Sequence, residues 1–270
     1  MDFNKWNPFW TACFGALACM IIIGNTLSIS ILLNRRLRKR PHYLLISLAF
    51  ADLMVGLCAM PIYIAINFSS EIRKLVPFVA SDAVDMLTGI SSIFTLAVIS
   101  LERLNAVARP LRHRQLTLCS YLVAMVTPWI LSLLVTTTRV LLWLSLISSQ
   151  HFTSVVIITL SAPFLISCFA YFAICRKRRN RVTSSFRQNQ ENRFSMTVFM
   201  ITGAFFLTWM PFQVLNILVV KCVSCRNMPP AIAFVIKFFQ FSNSAVNFFI
   251  YFFRIPSYRR AFFGLFFRRW

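Results

Sequence analysis

Residues 76–106 read VPFVASDAVDMLTGISSIFTLAVISLERLNA. The run is apolar enough and long enough to cross a bilayer as a helix. It carries Asp82 and Asp85 near one end and Glu102-Arg103 near the other. Asp85 precedes Arg103 by 18 residues, or about 27 Å of helix, nearly the hydrocarbon thickness of a membrane. Asp82 sits one turn beyond Asp85 on a similar face. The charged groups of this segment therefore belong to two opposite membrane surfaces.

Six further apolar runs accompany it: Trp10–Leu33, Tyr43–Ile66, Cys119–Trp143, His151–Cys175, Phe194–Val220 and Pro230–Phe253. Each meets the ~20-residue requirement of a membrane-crossing helix. Together with Val76–Ala106 they predict an all-α membrane protein, a seven-transmembrane helix bundle forming a single domain over residues 1–270. Ser257–Phe267 mixes Tyr258, Arg259, Arg260 and several phenylalanines. It is too short and too basic to span, and is expected to lie along the interface as a short amphipathic eighth helix.

Composition agrees. The 270 residues are 58% hydrophobic and 13% charged, with mean hydropathy +0.70, whereas soluble domains are ~45–50% apolar and ~25% charged. The 29 phenylalanines exclude a disordered chain. A net charge of +21 would suit a nucleic-acid binder, but this hydropathy would not. Sorted by side, the charge becomes a topology signal. Of 28 Lys and Arg, 21 follow spans one, three, five and seven, and 7 lie on the opposite side. The positive-inside rule then puts the N-terminus outside and the C-terminus in the cytosol of a multi-pass plasma-membrane protein. The cytosolic bases would meet anionic membrane lipids, and no nucleic-acid partner is expected. Trp10–Leu33 is expected to be retained as a signal-anchor, since its basic cluster follows rather than precedes the apolar run.

Ionisable side chains within spans are functional-site candidates by default. Here they are Asp52, Asp82, Asp85, Glu102, Arg103, Arg139 and Lys237. No nucleophile–base–orienter set accompanies them, so an enzyme is not expected. Inverted repeats are not evident, which disfavours a transporter. Cys222 and Cys225 face the oxidising side and could form a local disulfide. The other six cysteines read as small apolar packing groups.

The spans also carry spaced motifs. Span one has Gly24-Asn25, span two Leu48-Ala49-Phe50-Ala51-Asp52-Leu53, and span three ends Glu102-Arg103-Leu104. Span four has Trp129, and span five Pro163 with Tyr171 eight residues on. Span six reads Phe205-Phe206-Leu207-Thr208-Trp209-Met210-Pro211, and span seven Asn243-Ser244 followed by Asn247-Phe248-Phe249-Ile250-Tyr251. In this order and spacing, across all seven spans, the sequence resembles the rhodopsin-like (class A) G-protein-coupled receptors.

The resemblance implies a receptor for an extracellular ligand that activates a heterotrimeric G protein through outward movement of the sixth helix. It implies an activation switch of Glu102, Arg103, Glu191, Tyr171 and Tyr251, with Ile93, Pro163 and Phe205 packed beneath a pocket floored by Trp209. Glu191 either ties Arg103 across to span six or is a solvated acid among basic neighbours. Asp52, Ser92, Asn243 and Asn247 match positions that hold an allosteric sodium ion in the family, and oxygen ligands suit such a hard cation. A protonated Asp52 bonded to Asn25 and Asn247 is the alternative. No other cofactor is implied.

The ligand pocket implied is bounded by Asp82, Asp85, Trp209, Phe212, Gln213, Asn216 and Lys237. Asp85 matches the aspartate that pairs with ligand ammonium in amine receptors, and Asp82 one that helps bind peptide and calcium in melanocortin receptors. Ligand identity stays open between a small amine and a peptide, because Lys237 could instead neutralise Asp85 internally. Other features depart from the family pattern. Phe78 replaces the cysteine at the outer end of span three, and the loop between Trp143 and His151 has no cysteine to pair with one. Melanocortin receptors share both features, but Ile62 stands where they carry a calcium-binding glutamate. Leu104 and Phe248 replace the family's usual tyrosine and proline, which leaves a non-signalling or constitutively active scaffold as the alternative function. Asn67-Phe68-Ser69 is the single glycosylation sequon.

Overall fold

The computed structural model describes residues 7–34, 42–179, 186–222 and 229–267, with the side chains at 70, 73, 178, 186–194, 220–221 and 266–267 outside that description. Its helices in chain order are α1 Asn7–Leu33, α2 His42–Met54, α3 Met60–Phe68, α4 Ser70–Leu75, α5 Phe78–Ala108 and α6 Pro110–Arg114. They continue with α7 Leu118–Trp143, α8 Ser149–Arg179, α9 Phe186–Lys221, α10 Pro230–Arg254 and α11 Pro256–Phe267. There is no strand among the described residues. Seven helical segments are long and apolar enough to cross a membrane; α2 and α3, joined by one π turn at Val55–Ala59, make the second. A helix is the form that satisfies every backbone donor and acceptor where water is absent.

The third span is the axis of the bundle. Its helix α5 packs against α2, α7, α8 and α9. In its apolar window 67% of residues are buried inside the protein, against 17% for α7. The rest of α7 presents Leu122, Val123, Val126, Ile130, Leu133 and Leu134 outward. A belt of that kind would be a liability in water and is the ordinary surface of a helix in lipid.

Several details depart from a reading of seven plain spans. The π turn places Gly56 against α1, where a β-carbon would lie 2.9 Å from Ile22 Cγ1 and 3.0 Å from Ile21 Cγ2. Absence of a side chain lets the two helices approach. Two connections fold into short helices. Ser69 caps α4 by accepting the Ile72 amide at 3.4 Å, and Pro110 starts α6 at the helix position where its missing N–H costs nothing. The fifth and sixth spans extend beyond their apolar runs into α8 and α9, since polar residues continue a helix once it leaves the membrane.

The turn between α7 and α8 is short and closes on Ser145, at φ 60°. Its neighbours close the helix end, with Ser145 N–H donating to Leu142 O at 3.0 Å and Leu146 N–H to Leu141 O at 2.9 Å. This left-handed closure is the conformation that glycine adopts most readily.

Helix α11 follows α10 after a single break at Ile255 and folds back on the bundle. Tyr258 is fully buried and its hydroxyl meets Ser28 Oγ at 2.8 Å. Burial pushes its phenol up to about 12, with the Ser28 hydrogen bond pulling the other way. Phe248 packs between α1 and α11: its ring lies 6.4 Å from that of Tyr258, and its Cβ would lie 3.2 Å from a β-carbon at Gly24. With no proline after Pro230 at its first position, α10 runs unbroken to Arg254.

Candidate functional site

The spans leave two polar ends and a polar midsection. At the Asp85 end, Lys237 and Gln240 lie three residues apart on one face of α10 and meet α5. Lys237 Nζ donates to Asp85 Oδ2 at 2.5 Å, and Gln240 Nε2 donates to Oδ2 at 3.0 Å and Oδ1 at 3.3 Å. All three residues are buried, at 7%, 9% and 2% exposure for Asp85, Lys237 and Gln240. The Lys237 ammonium also lies over three rings, 4.4 Å from the centroid of Phe212, 5.0 Å from Phe241 and 5.7 Å from Tyr63. Aromatic faces attract a cation within about 6 Å. A pair so far from water resists separation: removing one partner of a buried ion pair typically costs ~3–5 kcal/mol.

Asp82 is paired as well. Arg139 of α7 donates to its Oδ2 from Nη2 at 2.7 Å and from Nε at 3.2 Å, with the guanidinium 6.0 Å from the Phe152 ring. This pair is more open, with the Asp82 side chain 47% exposed, and ties spans three and four together.

Below the ion pair a column of rings descends. Phe212 meets Trp209 edge-on at 6.2 Å, and Trp209 stacks on Phe205 at 5.1 Å. The indole lies in a slot that Gly89 provides one turn below Asp85. Phe205, Ile93 and Trp209 share one buried cluster with Tyr251 and Tyr258, and Pro163 is buried within α8 nearby in sequence to Phe164, whose ring is 3.7 Å from Phe206.

In the midsection Asp52 is fully buried. It accepts from Asn247 Nδ2 at 2.6 Å and from Ser92 Oγ at 3.3 Å, and Asn243 and Ser244 are buried on the adjoining helix. Asn25 bridges spans one and seven by donating to Ser244 O at 2.9 Å. Asn25 Oδ1 and Tyr251 Oη are buried without a hydrogen-bond partner among the described residues. A buried carboxylate held by a hydroxyl and an amide N–H, with none of the described ion pairs reaching it, has the hard oxygen chemistry that suits a monovalent cation.

At the Arg103 end, Glu102 gathers three elements. Arg103 grips its carboxylate through Nε and Nη2, His113 Nε2 of α6 lies 2.6 Å from Oε1, and Tyr121 of α7 donates to Oε1 at 3.1 Å. Lys177 of α8 donates to the Ala108 carbonyl at 2.6 Å, closing the C-terminal end of α5. Tyr171 joins spans five and six: its hydroxyl meets Met196 Sδ at 3.0 Å and its ring stacks on Phe199 at 4.1 Å.

Other expected residues do not converge. Gln213 is half-buried and Asn216 exposed, and the hydrogen bonds of Asp85 and Lys237 among the described residues go to each other and to Gln240 instead. The Glu191 side chain and Cys225 lie outside the described residues. Cys222 is disulfide-bonded, while the other six described cysteines are free thiols. Asn67 of the sequon is half-buried and donates to Tyr63 O at 2.8 Å. Gln240, His113 and Tyr121 were not anticipated from sequence. Gln240 had a signal in its spacing from Lys237. Arg139 and Asp82 each stand about one turn inside the same bundle end, a depth match that could have paired them.

The family model for the seven-transmembrane receptors of the rhodopsin family matches this chain over residues 24–154 and 143–251. G-protein coupled receptor 52 of Bos taurus is 28% identical over 280 aligned residues, covering 90% of this chain and 76% of the relative, and that of Mus musculus matches equally. Adenosine receptor A2a of Canis lupus familiaris is 27% identical over 294 residues, covering 92% and 69%. The motif order, the seven-helix bundle and these matches agree: the chain belongs to the rhodopsin family of seven-transmembrane, G-protein-coupled receptors.

Proposed function

We propose that the chain is a cell-surface receptor whose Asp85 end faces outward and whose Arg103 end meets a heterotrimeric G protein in the cytosol. The carrying observation is the unbroken series of contacts from the Lys237–Asp85 pair through Phe212 and Trp209 to Phe205. Three of those groups, Phe212, Trp209 and Phe205, stand on span six. A ligand that disturbs the ion pair therefore changes the packing of the helix whose other end adjoins Tyr171. Binding favours an outward swing of span six, a shift between two packings rather than covalent chemistry.

The ligand is a small amine or a peptide. Pairing of both carboxylates, Asp85 with Lys237 and Asp82 with Arg139, favours a peptide, which can spread the cost of displacing them over many contacts. Asp52, Ser92, Asn243 and Asn247 would hold a sodium ion, which supplies positive charge beside the carboxylate and steadies the packing of spans two, three and seven. The basic residues on the cytosolic side lie against anionic lipid headgroups.

A second reading, a scaffold that does not signal or signals constantly, is favoured by Leu104 and by the unbroken α10 at Phe248. Signalling in cells exposed to amines and short peptides separates the readings. Equal loss of response in Asp82→Asn and Asp85→Asn supports the peptide, and loss in Asp85→Asn alone supports the amine. No basal or stimulated response from a surface-expressed chain supports the silent scaffold.

A further inference from the structure

The Asp85 end has the chemistry of a binding site for a primary ammonium group: a buried carboxylate, a carboxamide and three aromatic faces around one cation. The cation there is the chain's own. We infer that Lys237 is the resident ligand of this subsite, a primary alkylammonium tethered to span seven that fills the place an external primary amine would take.

Four features carry this. The ammonium is buried rather than extended toward the bundle end, although a lysine stem is long enough to reach outward when nothing holds it. Its partners come from three other spans, Tyr63 from two, Asp85 from three and Phe212 from six, as the walls of a ligand site do. Gln240 braces the same carboxylate from the turn next to Lys237. Gln240 Oε1 is buried with no hydrogen-bond partner among the described residues, an acceptor beside the site that a second donor can use.

The consequence is a ligand class. A small primary amine meets a carboxylate already compensated at 2.5 Å, so in the wild-type chain it binds there only by displacing Lys237, and n-propylammonium, with no further contacts to offset that cost, does not. Shortening Lys237 to alanine removes three carbons and the ammonium and leaves a site shaped for n-propylammonium.

The inference rests on the reading of this end as a ligand site, but its test reads binding and not signalling, so the two can fail separately. The full chain in lipid nanodiscs, wild type and Lys237→Ala, is melted in rising n-propylammonium chloride, with 1-propanol as the uncharged match. Lys237→Ala is expected to gain a saturable rise in melting temperature of about 3 °C at tenfold excess over the dissociation constant. The wild type and the Lys237→Ala, Asp85→Asn double variant gain none. Indifference of Lys237→Ala to n-propylammonium, or an equal rise in wild type, overturns the inference. If Lys237→Ala does not fold, reductive methylation of the wild type decides. Lys237 should stay unmodified while the exposed Lys74 is dimethylated. Equal labelling of the two overturns the inference.

Discussion

Gly89 and Trp209 meet across spans three and six so closely that a β-carbon at position 89 would lie 2.5 Å from Trp209 Cζ2 and 2.6 Å from Cη2. The indole is rigid, stacks on Phe205 and cannot yield as a flexible chain end would. Gly89→Ala should therefore displace it and cost about 1–3 kcal/mol of stability through overpacking. A thermal melt measures the loss, and tryptophan fluorescence reports the displacement. An unchanged melting temperature and spectrum would show that the slot has slack.

Glu102 is the meeting point of Arg103, His113 and Tyr121. Tyr121→Phe removes the hydroxyl's bonds to Glu102 Oε1 and to His113 Nε2, and a net loss of about 1 kcal/mol from the resting arrangement should raise basal signalling roughly fivefold. Glu102→Gln, which also removes the charge facing Arg103, should raise it further. Basal reporter activity, normalised to surface expression, gives the order wild type, Tyr121→Phe, Glu102→Gln.

Asp52 supplies the ion test. Sodium chloride should raise the melting temperature of the wild type above that in choline chloride at equal ionic strength. Asp52→Asn should abolish the difference. Equal melting in the two salts, for a well-folded wild type, would favour a protonated Asp52 hydrogen-bonded to Asn247.

The turn between α7 and α8 offers a stability prediction independent of signalling. Ser145 holds φ 60° in a closure that glycine adopts without a β-carbon penalty. Ser145→Gly should raise stability by about 1 kcal/mol. Ser145→Val should lower it, because a β-branched residue tolerates this conformation worst. Melting temperatures of the three proteins give the order.

The seven spans were legible because an apolar run of that length has few other fates, and the eighth helix because basic and aromatic residues alternate after a break. The π turn at Val55–Ala59 was not, since the apolar pattern of span two runs through it without a gap. Helices α4 and α6 were hidden in connections too short for periodicity to register. Lys237 and Asp85 stood in the sequence as possible partners because both lie at the same depth, and the structure gives the bond and adds Gln240 and the aromatic cage. The partners of Glu102 come from α6 and the start of α7, where residue order says nothing about how a loop folds back. Gly24 and Gly89 were visible as letters, but their meaning lies in what approaches them, Phe248 and Trp209.

In the proposed receptor the Arg103 end drives nucleotide exchange on a G protein. Its most direct measurement is uptake of a non-hydrolysable GTP analogue by a purified heterotrimer, panelled across the G-protein classes, in the presence of the reconstituted chain. Exchange above the receptor-free rate is expected for at least one class, lowered about tenfold or more in Arg103→Ala through loss of the guanidinium that meets the G protein once Glu102 releases it. Exchange that is indistinguishable from the receptor-free rate for every class, or that Arg103→Ala leaves unchanged, would contradict that role.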